Sequence, residues 1–180
     1  MGAAKQAAAA LREAGVPFLL AGGLACWARG GPPTEHDVDL CLRATDAERA
    51  VQALEDAGLK IERPPEEWLF KAVAGDVTID LIFEPQGNPV DDAMFERADD
   101  MSVEAVTMKV MAVDDILVTK LLSLTEHHLD YDSLLELARP LREQIGWDRV
   151  GELTEHSPFA RAFFTLAEGL GLTTPATGGP

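Results

Sequence analysis

The length and charge of the chain set the frame for any function. Its 180 residues suffice for one domain that buries something near 70% of the surface exposed by the unfolded chain. Its 31 acidic and 15 basic residues give a formal net charge of −16, which opposes attraction to phosphate backbones and disfavours a bulk nucleic-acid partner. Because the same charge repels a free nucleotide, a nucleotide site here needs divalent cations or a local cluster of Lys and Arg.

Cysteine usage and hydropathy indicate the compartment. The two cysteines, Cys26 and Cys41, form neither a Cys-x-x-Cys motif nor a metal-ligand spacing. A signal peptide is not expected, because the pattern of a positively charged start followed by an apolar run is missing. A membrane span is not expected either, because no apolar stretch approaches the roughly 20 residues that cross a bilayer. We therefore expect a soluble protein in the reducing cytoplasm, without a membrane partner.

Hydrophobic periodicity, alanine content and turn residues predict helices and strands that alternate, followed by a helical final third. The predicted helices cover residues 5–14, 24–29, 47–57, 114–125, 131–142, 147–153 and 158–169, and the predicted strands cover 16–21, 37–43, 68–73 and 76–83. The last two strands are expected to form a hairpin around Ala74-Gly75. Thr45 or Asp46 is expected to cap the third helix.

Asp37 and Asp39, in the segment Thr34-Glu-His-Asp37-Val-Asp39, carry the strongest chemical signal. Successive side chains of a strand point to opposite faces, so these two carboxylates project together and His36 points away. Their Cα atoms are expected roughly 6.6 Å apart, a span over which carboxylates converge on metal ions about 3.5–4 Å apart. The pair therefore predicts phosphoryl-transfer chemistry.

Two further features support this prediction. Gly22-Gly23 turns the chain before a short predicted helix, whose first amide N–H groups would point toward the glycines and favour a phosphate. Asp80 places a third carboxylate in a mostly apolar strand, on the face opposite Val77, Ile79, Leu81 and Phe83. The site is therefore expected to combine a glycine turn with three carboxylates.

The order of strand, Gly22-Gly23, short helix, Thr34-x-x-Asp37-x-Asp39 and later Asp80 resembles the nucleotidyltransferase superfamily over about residues 15–85. The resemblance implies an α/β (α+β) fold, with a mixed sheet, helices on one side and a helical C-terminal third. It also implies that Asp37 and Asp39 bind Mg²⁺ or Mn²⁺ holding the triphosphate. Asp80 would complete the metal site or accept a proton from the acceptor hydroxyl.

Within the superfamily, the chain is most similar to the bacterial minimal and AbiEii-type nucleotidyltransferases. The nucleotide contacts that this resemblance implies fall on Gly22, Gly23, Arg29, Thr34 and Lys120. The chain also departs from these relatives. Many of them carry glycine-serine where this chain has two glycines, arginine where it has Pro33, and arginine and lysine where it has His127-His128.

The expected function is transfer of a nucleoside monophosphate from a nucleoside triphosphate, ATP in our expectation, to a hydroxyl of a small molecule or protein, with release of pyrophosphate. Two alternatives remain open: a nucleotide-binding regulatory or antitoxin-like partner of another protein, and a purely structural module. The acidic surface favours a cationic small molecule or a protein over RNA as the acceptor. The sequence does not identify the acceptor further.

The domain organisation is expected to comprise a catalytic core at 1–110, a helical part at 111–172 and a disordered tail at 173–180. Around the start of the predicted helix 131–142, a zinc site is permitted by His127, His128, Asp130 and Asp132, since His128 and Asp132 are one helical turn apart. Capping of the next helix by Asp130 or Asp132 is the favoured interpretation.

Overall fold

The computed structural model of the chain describes residues 2–34 and 38–173. Asp37 and His36, and all but the first residue of the tail predicted at 173–180, therefore lie outside the described residues. Within the described part of the chain, no helix combines the length and apolar character that spanning a membrane would require.

The described chain alternates helices and strands. The helices are α1 Ala3–Glu13, α2 Gly22–Ala28, α3 Ala47–Asp56, α4 Asp92–Arg97, α5 Val113–Leu122, α6 Tyr131–Leu141, α7 Trp147–Thr154 and α8 Pro158–Gly169. The strands are β1 Leu19–Leu20, β2 Val38–Cys41, β3 Lys60–Glu62, β4 Leu69–Ala74, β5 Val77–Ile82, β6 Asp99–Val103 and β7 Val106–Val110. Short 3₁₀ turns cover Ala44–Asp46, Pro85–Gly87 and Arg142–Gln144.

The described strands form one mixed sheet of seven strands in the order β3-β4-β5-β2-β1-β7-β6. Pairing is parallel between β2 and β5 and between β1 and β7, and antiparallel elsewhere. The mixed α/β architecture predicted from the sequence is therefore confirmed. Because β2 is paired on both sides, its backbone is held in register by two neighbouring strands.

One face of the central strands supplies the core. Leu40 of β2 and Ile79 and Leu81 of β5 are at most 1% exposed, as the alternation of apolar side chains predicts. Helices α1 and α3 contact each other, α1 contacts β5, and α3 contacts β3 and β4. Each helix buries one stripe, with Ala7, Ala8 and Leu11 on α1 and Ala50, Val51 and Leu54 on α3, as expected of amphipathic helices.

Contacts divide the chain into two compact units: residues 1–28 with 33–112, and residues 29–32 with 113–180. The first unit contains the sheet. The second contains α5 to α8, where Asp115 is only 2% exposed and its Oδ1 accepts a hydrogen bond from Nη2 of Arg149 at 3.0 Å. Asp114 accepts from the Gly146 amide at 2.8 Å. These charged contacts join α5 to the start of α7, because a buried carboxylate requires a partner.

Helix caps in the second unit settle one alternative. Asp130 is the N-cap of α6, where its Oδ1 accepts a hydrogen bond from the Ser133 amide at 3.2 Å. Nowhere in the described segments do three or more His, Cys, Asp or Glu side chains form a group able to hold a metal ion. The capping interpretation of this segment is therefore confirmed for Asp130. In the first unit, Asp46 precedes α3 without a capping bond, and instead pairs with Arg49 at 2.8 Å.

Two hairpins differ from what the sequence predicts. The β4–β5 turn is Gly75-Asp76 rather than Ala74-Gly75, because Ala74 pairs with Val77. The β6–β7 hairpin, which the sequence did not predict, turns at Glu104-Ala105, both of which have positive φ, at 49° and 65°. Such two-residue turns favour Asn-Gly, so neither residue signals a turn.

Replacing Glu104 by Asn together with Ala105 by Gly is therefore expected to stabilise the protein by about 1 kcal/mol, since both new residues tolerate positive φ better. The urea midpoint of unfolding measures the change. Gly75→Ala is the matched control, because Gly75 has a φ of 64° in the other two-residue turn and its replacement should lower the midpoint. A midpoint that falls for both variants would contradict strain at Glu104-Ala105.

Candidate active site

The two predicted carboxylates within the described residues lie side by side on neighbouring strands. Asp39 of β2 is the register partner of Asp80 of β5 in a parallel ladder. Residues opposite each other on adjacent strands share a face of the sheet, about 4.8 Å apart. Both side chains are partly exposed, whereas Leu40 and Leu81 beside them are buried on the opposite face. The sheet therefore presents Asp39 and Asp80 together, away from the apolar core.

Lys71 of β4 extends this row of charged residues. It pairs with Asp80 across the antiparallel β4–β5 ladder, and its Nζ lies 2.7 Å from Oδ1 and 2.9 Å from Oδ2 of Asp80. The side chains of Lys71 and Asp80 are 36% and 22% exposed. Glu62 of β3 in turn pairs with Lys71. Four neighbouring strands thus carry Glu62, Lys71, Asp80 and Asp39 in one transverse row.

Lys71 is not among the site residues that the sequence predicts, although the sequence contains a signal for it. Lys71 is the single charged residue of the predicted strand 68–73. A turn at Ala74-Gly75 would pair it with Thr78, whereas the observed turn at Gly75-Asp76 pairs it with Asp80. The position of the turn therefore decides whether the charge of Lys71 reaches the site.

The glycine turn lies directly against Asp39. The Ala21 amide donates to the Asp39 carbonyl at 2.8 Å, and α2 begins at Gly22, whose φ is 58°. A Cβ atom on Gly22 would collide with Oδ2 of Asp39 and lie 2.7 Å from its Cγ. Only glycine meets both demands, since it adopts positive φ freely and has no side chain. The two glycines, predicted as a turn before a helix over 24–29, thus form the first turn of α2 itself and contact a predicted carboxylate.

Gly23 stands in the same relation to Thr34. A Cβ atom on Gly23 would collide with Oγ1 of Thr34 and lie 3.0 Å from its Cβ. The hydroxyl of Thr34 therefore fills the space that a side chain at residue 23 would occupy. The structure thus brings Gly22, Gly23, Thr34, Asp39 and Asp80 into one region of the first unit.

The remaining predicted site residues belong to the second unit or lie outside the described residues. Arg29 and Lys120 belong to the second unit. The Arg29 carbonyl accepts from Nε2 of Gln144 at 3.0 Å, and Lys120 lies on α5. Their assignment to a nucleotide stays a prediction, as does the role of Asp37.

The two cysteines lie on elements that build this region, Cys26 on α2 and Cys41 on β2. Cys26 and Cys41 are both buried and form no disulfide. Burial raises the pKa of the Cys41 thiol far above its ordinary value, and the nearby charge of Asp39 raises it further. The thiol is therefore protonated at neutral pH and unsuited to act as a nucleophile or a metal ligand.

The donor set of this region matches a hard divalent cation. Asp39 and Asp80 offer carboxylate oxygens from one face of the sheet, and such oxygens are what Mg²⁺ prefers. The missing side chain of Gly22 lets the Asp39 carboxylate lie directly against the backbone of α2. Residues 2–34 and 38–173 contain no group of three metal-ligating side chains, so a third ligand from Asp37 stays a prediction.

Known proteins share a sequence family and a fold with this chain. The family model of aminoglycoside-2''-adenylyltransferases matches residues 4–107. A search of curated proteins finds no match to the chain. The solution structure of the antibiotic-resistance factor ANT(2'')-Ia is 17% identical, with coverage of 93% of this chain and 94% of its own and a TM-score of 0.60.

A crystal structure of ANT(2'')-Ia in complex with adenylyl-2''-tobramycin is also 17% identical, with coverage of 91% of this chain and 95% of its own and a TM-score of 0.60. At this identity the two structures show a common fold. The family model spans more than half of the chain, including the glycine turn, the Asp37-Val-Asp39 segment and Asp80. The chain therefore belongs to the aminoglycoside-2''-adenylyltransferase family of the nucleotidyltransferase superfamily.

Proposed function

We propose that this protein is a magnesium-dependent adenylyltransferase that moves AMP from ATP to a hydroxyl of an aminoglycoside and releases pyrophosphate. The observation that carries the proposal is the juxtaposition of Asp39 and Asp80 on adjacent strands, with the backbone of Gly22 against the Asp39 carboxylate. Family membership supports the reaction class. The solved complex of ANT(2'')-Ia with adenylyl-2''-tobramycin supports an antibiotic acceptor.

The reaction is an in-line displacement at the α-phosphorus, in which an acceptor oxygen attacks and pyrophosphate leaves. Bound divalent cations supply stabilisation of negative charge on the attacking and leaving oxygens. In our proposal Asp37 and Asp39 would hold these cations, and Asp80 would complete the carboxylate set or accept the proton that the acceptor hydroxyl loses. The protein's own contribution is mainly positioning, since the strand register fixes the carboxylates before substrate binds.

The triphosphate is proposed to lie along the Gly22-Gly23 turn. Many relatives carry a serine at the second glycine, and its hydroxyl helps to hold a phosphate. In this chain, the Thr34 hydroxyl fills the space beside Gly23 that such a side chain would enter. Thr34 is therefore proposed to supply the phosphate-binding hydroxyl, which favours an active enzyme over a degenerate nucleotide-binding partner.

The acceptor is proposed to be polycationic. A formal net charge of −16 attracts a compound that carries several ammonium groups and repels RNA. Aminoglycosides combine such ammonium groups with the hydroxyls that the reaction requires. The charge of the chain and the family thus favour the same class of acceptor.

Incubation with labelled ATP, Mg²⁺ and a panel of aminoglycosides that includes tobramycin tests the proposal. We expect a labelled adenylyl product and equimolar pyrophosphate, and a loss of at least about 10²-fold in kcat/KM for Asp39→Asn, because that carboxylate acts in the transition state. Asp100→Asn, a charge-matched change on β6, should retain activity.

Folding of the Asp39→Asn protein is checked by its urea midpoint, which should not fall. If the protein binds ATP but transfers AMP to none of the aminoglycosides, the proposed acceptor is wrong and the proposed nucleotide site stands. An absence of ATP binding in the presence of Mg²⁺ would overturn the whole assignment.

Gly22→Ala is expected to abolish transfer, because its Cβ would displace the Asp39 carboxylate. Gly15→Ala is the matched control, since Gly15 has a φ of 64° and open space around its Cβ position. Both variants should lose about 1 kcal/mol from the strained backbone, and Gly22→Ala should lose more. Equal activities of the two variants would show that the contact with Asp39 is unimportant.

Thr34→Val keeps the shape of the side chain and removes its hydroxyl. We expect KM for ATP to rise about tenfold, because a hydrogen bond to a charged phosphate is lost. The change in KM for the aminoglycoside should be smaller. Steady-state kinetics with each substrate varied in turn measures the two constants. An unchanged KM for ATP would remove Thr34 from the phosphate site.

A further inference from the structure

Lys71 occupies the oxygens that a metal ion would need. Its Nζ lies within hydrogen-bonding distance of both Asp80 carboxylate oxygens, at 2.7 Å and 2.9 Å. A bidentate contact of this kind leaves neither oxygen without a cation. An ammonium group and a divalent cation repel each other, and here both would be drawn to the two oxygens of one carboxylate. Lys71 and a metal ion at Asp80 are therefore alternatives.

Without a cation, the site is electrostatically unfavourable. Asp39 and Asp80 are neighbours on one face, and two adjacent carboxylates repel. Lys71 offsets this repulsion from the other side of Asp80, where it is the register partner on β4. The side chain of Lys71 therefore has an evident role in the metal-free protein.

A second carboxylate lies on the far side of Lys71. Glu62 is its register partner on β3, at the opposite side from Asp80. The pKa of Glu62 is lowered by the hydrogen bond and charge of Lys60, and the charge of Lys71 adds to this effect. Lys71 is thus flanked by Asp80 and Glu62, and a lysine with a flexible four-carbon stem can exchange between two such partners by changing rotamer.

We propose that Lys71 is a displaceable counter-ion: it holds Asp80 through both oxygens in the metal-free protein and turns to Glu62 when a divalent cation takes those oxygens. The inference rests on the proposed function, in which Asp80 is part of the metal site. Lys71 is a positioning residue in this scheme, since it acts through Asp80. Its consequence is that metal binding competes against an internal cation, so that Lys71 sets the metal affinity of the site.

Binding of Mn²⁺ tests the inference directly. Free Mn²⁺ is measured by its EPR signal in titrations of the full chain that contains a non-hydrolysable ATP analogue. Lys71→Met should bind Mn²⁺ roughly fivefold more tightly than the unmodified protein, because the competing cation is gone. Lys71→Arg, which keeps a bidentate charged partner for Asp80, should bind Mn²⁺ no more tightly than the unmodified protein.

The control separates local competition from net charge. Lys109 of β7 also pairs across strands with an aspartate, since its Nζ lies 3.5 Å from Oδ2 of Asp100. Its side chain is 40% exposed, close to the 36% of Lys71. Lys109→Met makes the same change in charge, and its Mn²⁺ affinity should stay within about twofold of the unmodified protein, because exposed distant charges are screened.

Glu62→Gln tests whether the Lys71 side chain pairs with Glu62 when the metal binds. Removing this acceptor should weaken Mn²⁺ binding about twofold to threefold, opposite in sign to the effect of Lys71→Met. The effect of Glu62→Gln should vanish in the Lys71→Met background, since neighbouring residues that act through one another are not additive. An undiminished effect there would overturn the transfer of Lys71 to Glu62.

The outcomes distinguish this inference from the proposed function. If the unmodified protein binds Mn²⁺ and Asp39→Asn does not, the metal site stands. In that case, Mn²⁺ binding by Lys71→Met that is unchanged or weaker overturns the counter-ion role alone. Lys71→Gln replaces Lys71→Met in this test if the methionine variant fails to fold. If the unmodified protein binds no Mn²⁺, both the proposed site and the role of Lys71 are overturned.

Discussion

The parallel register between β2 and β5 is the constraint on which the candidate site depends. It places Asp39 beside Asp80 and, one residue along, Leu40 beside Leu81 in the core. A shift by one residue would exchange the faces, turning a carboxylate into the apolar layer and a leucine out of it. Burial of an unpaired carboxylate costs several kcal/mol. The apolar face therefore secures the position of the acidic face.

Gly22 and Lys71 accommodate the two carboxylates of this face, Gly22 beside Asp39 and Lys71 beside Asp80. The glycine turn brings backbone against Asp39 where any side chain would collide with the carboxylate. Lys71 brings a positive charge against Asp80. The first contact fixes where Asp39 can lie, and the second offsets the charge that the strand register concentrates. Both follow from neighbouring elements of the sheet, so the site needs no separate scaffold.

The sequence predicted features governed by local rules. The helix over 158–169 was predicted to the residue, because Pro158 favours the first helical turn; in the structure Ser157 caps it by accepting from the Ala160 amide at 3.2 Å. The glycine turn, the strand that carries Asp39 and the apolar face of β5 were likewise readable from residue type and alternation. These features depend on residues only a few positions apart.

Pairing between strands was harder to predict. Lys71 was missed because its partner depends on whether the turn is Ala74-Gly75 or Gly75-Asp76, a difference that leaves the alternation of faces unchanged. The β6–β7 hairpin was missed because Glu104 and Ala105 adopt positive φ without being residues that favour it. The three-residue strand β3, which brings Glu62 beside Lys71, is too short to show a period. Lys71 and Glu62 therefore could not be predicted at the site, because their positions depend on strand register and on contacts between residues distant in the sequence.

The residues that could be predicted and those that could not differ in their chemistry. Asp37 and Asp39 are two residues apart in the sequence, and such a short motif can be recognised without a structure. The charge that offsets them comes from wherever the fold brings a cation, and in this chain that is the neighbouring hairpin strand. A formal net charge of −16 adds self-repulsion to the compact state, so such a local offset is favourable for stability. Neutralisation of the site is therefore a property of the sheet as a whole, whereas its acidity is a property of individual strands.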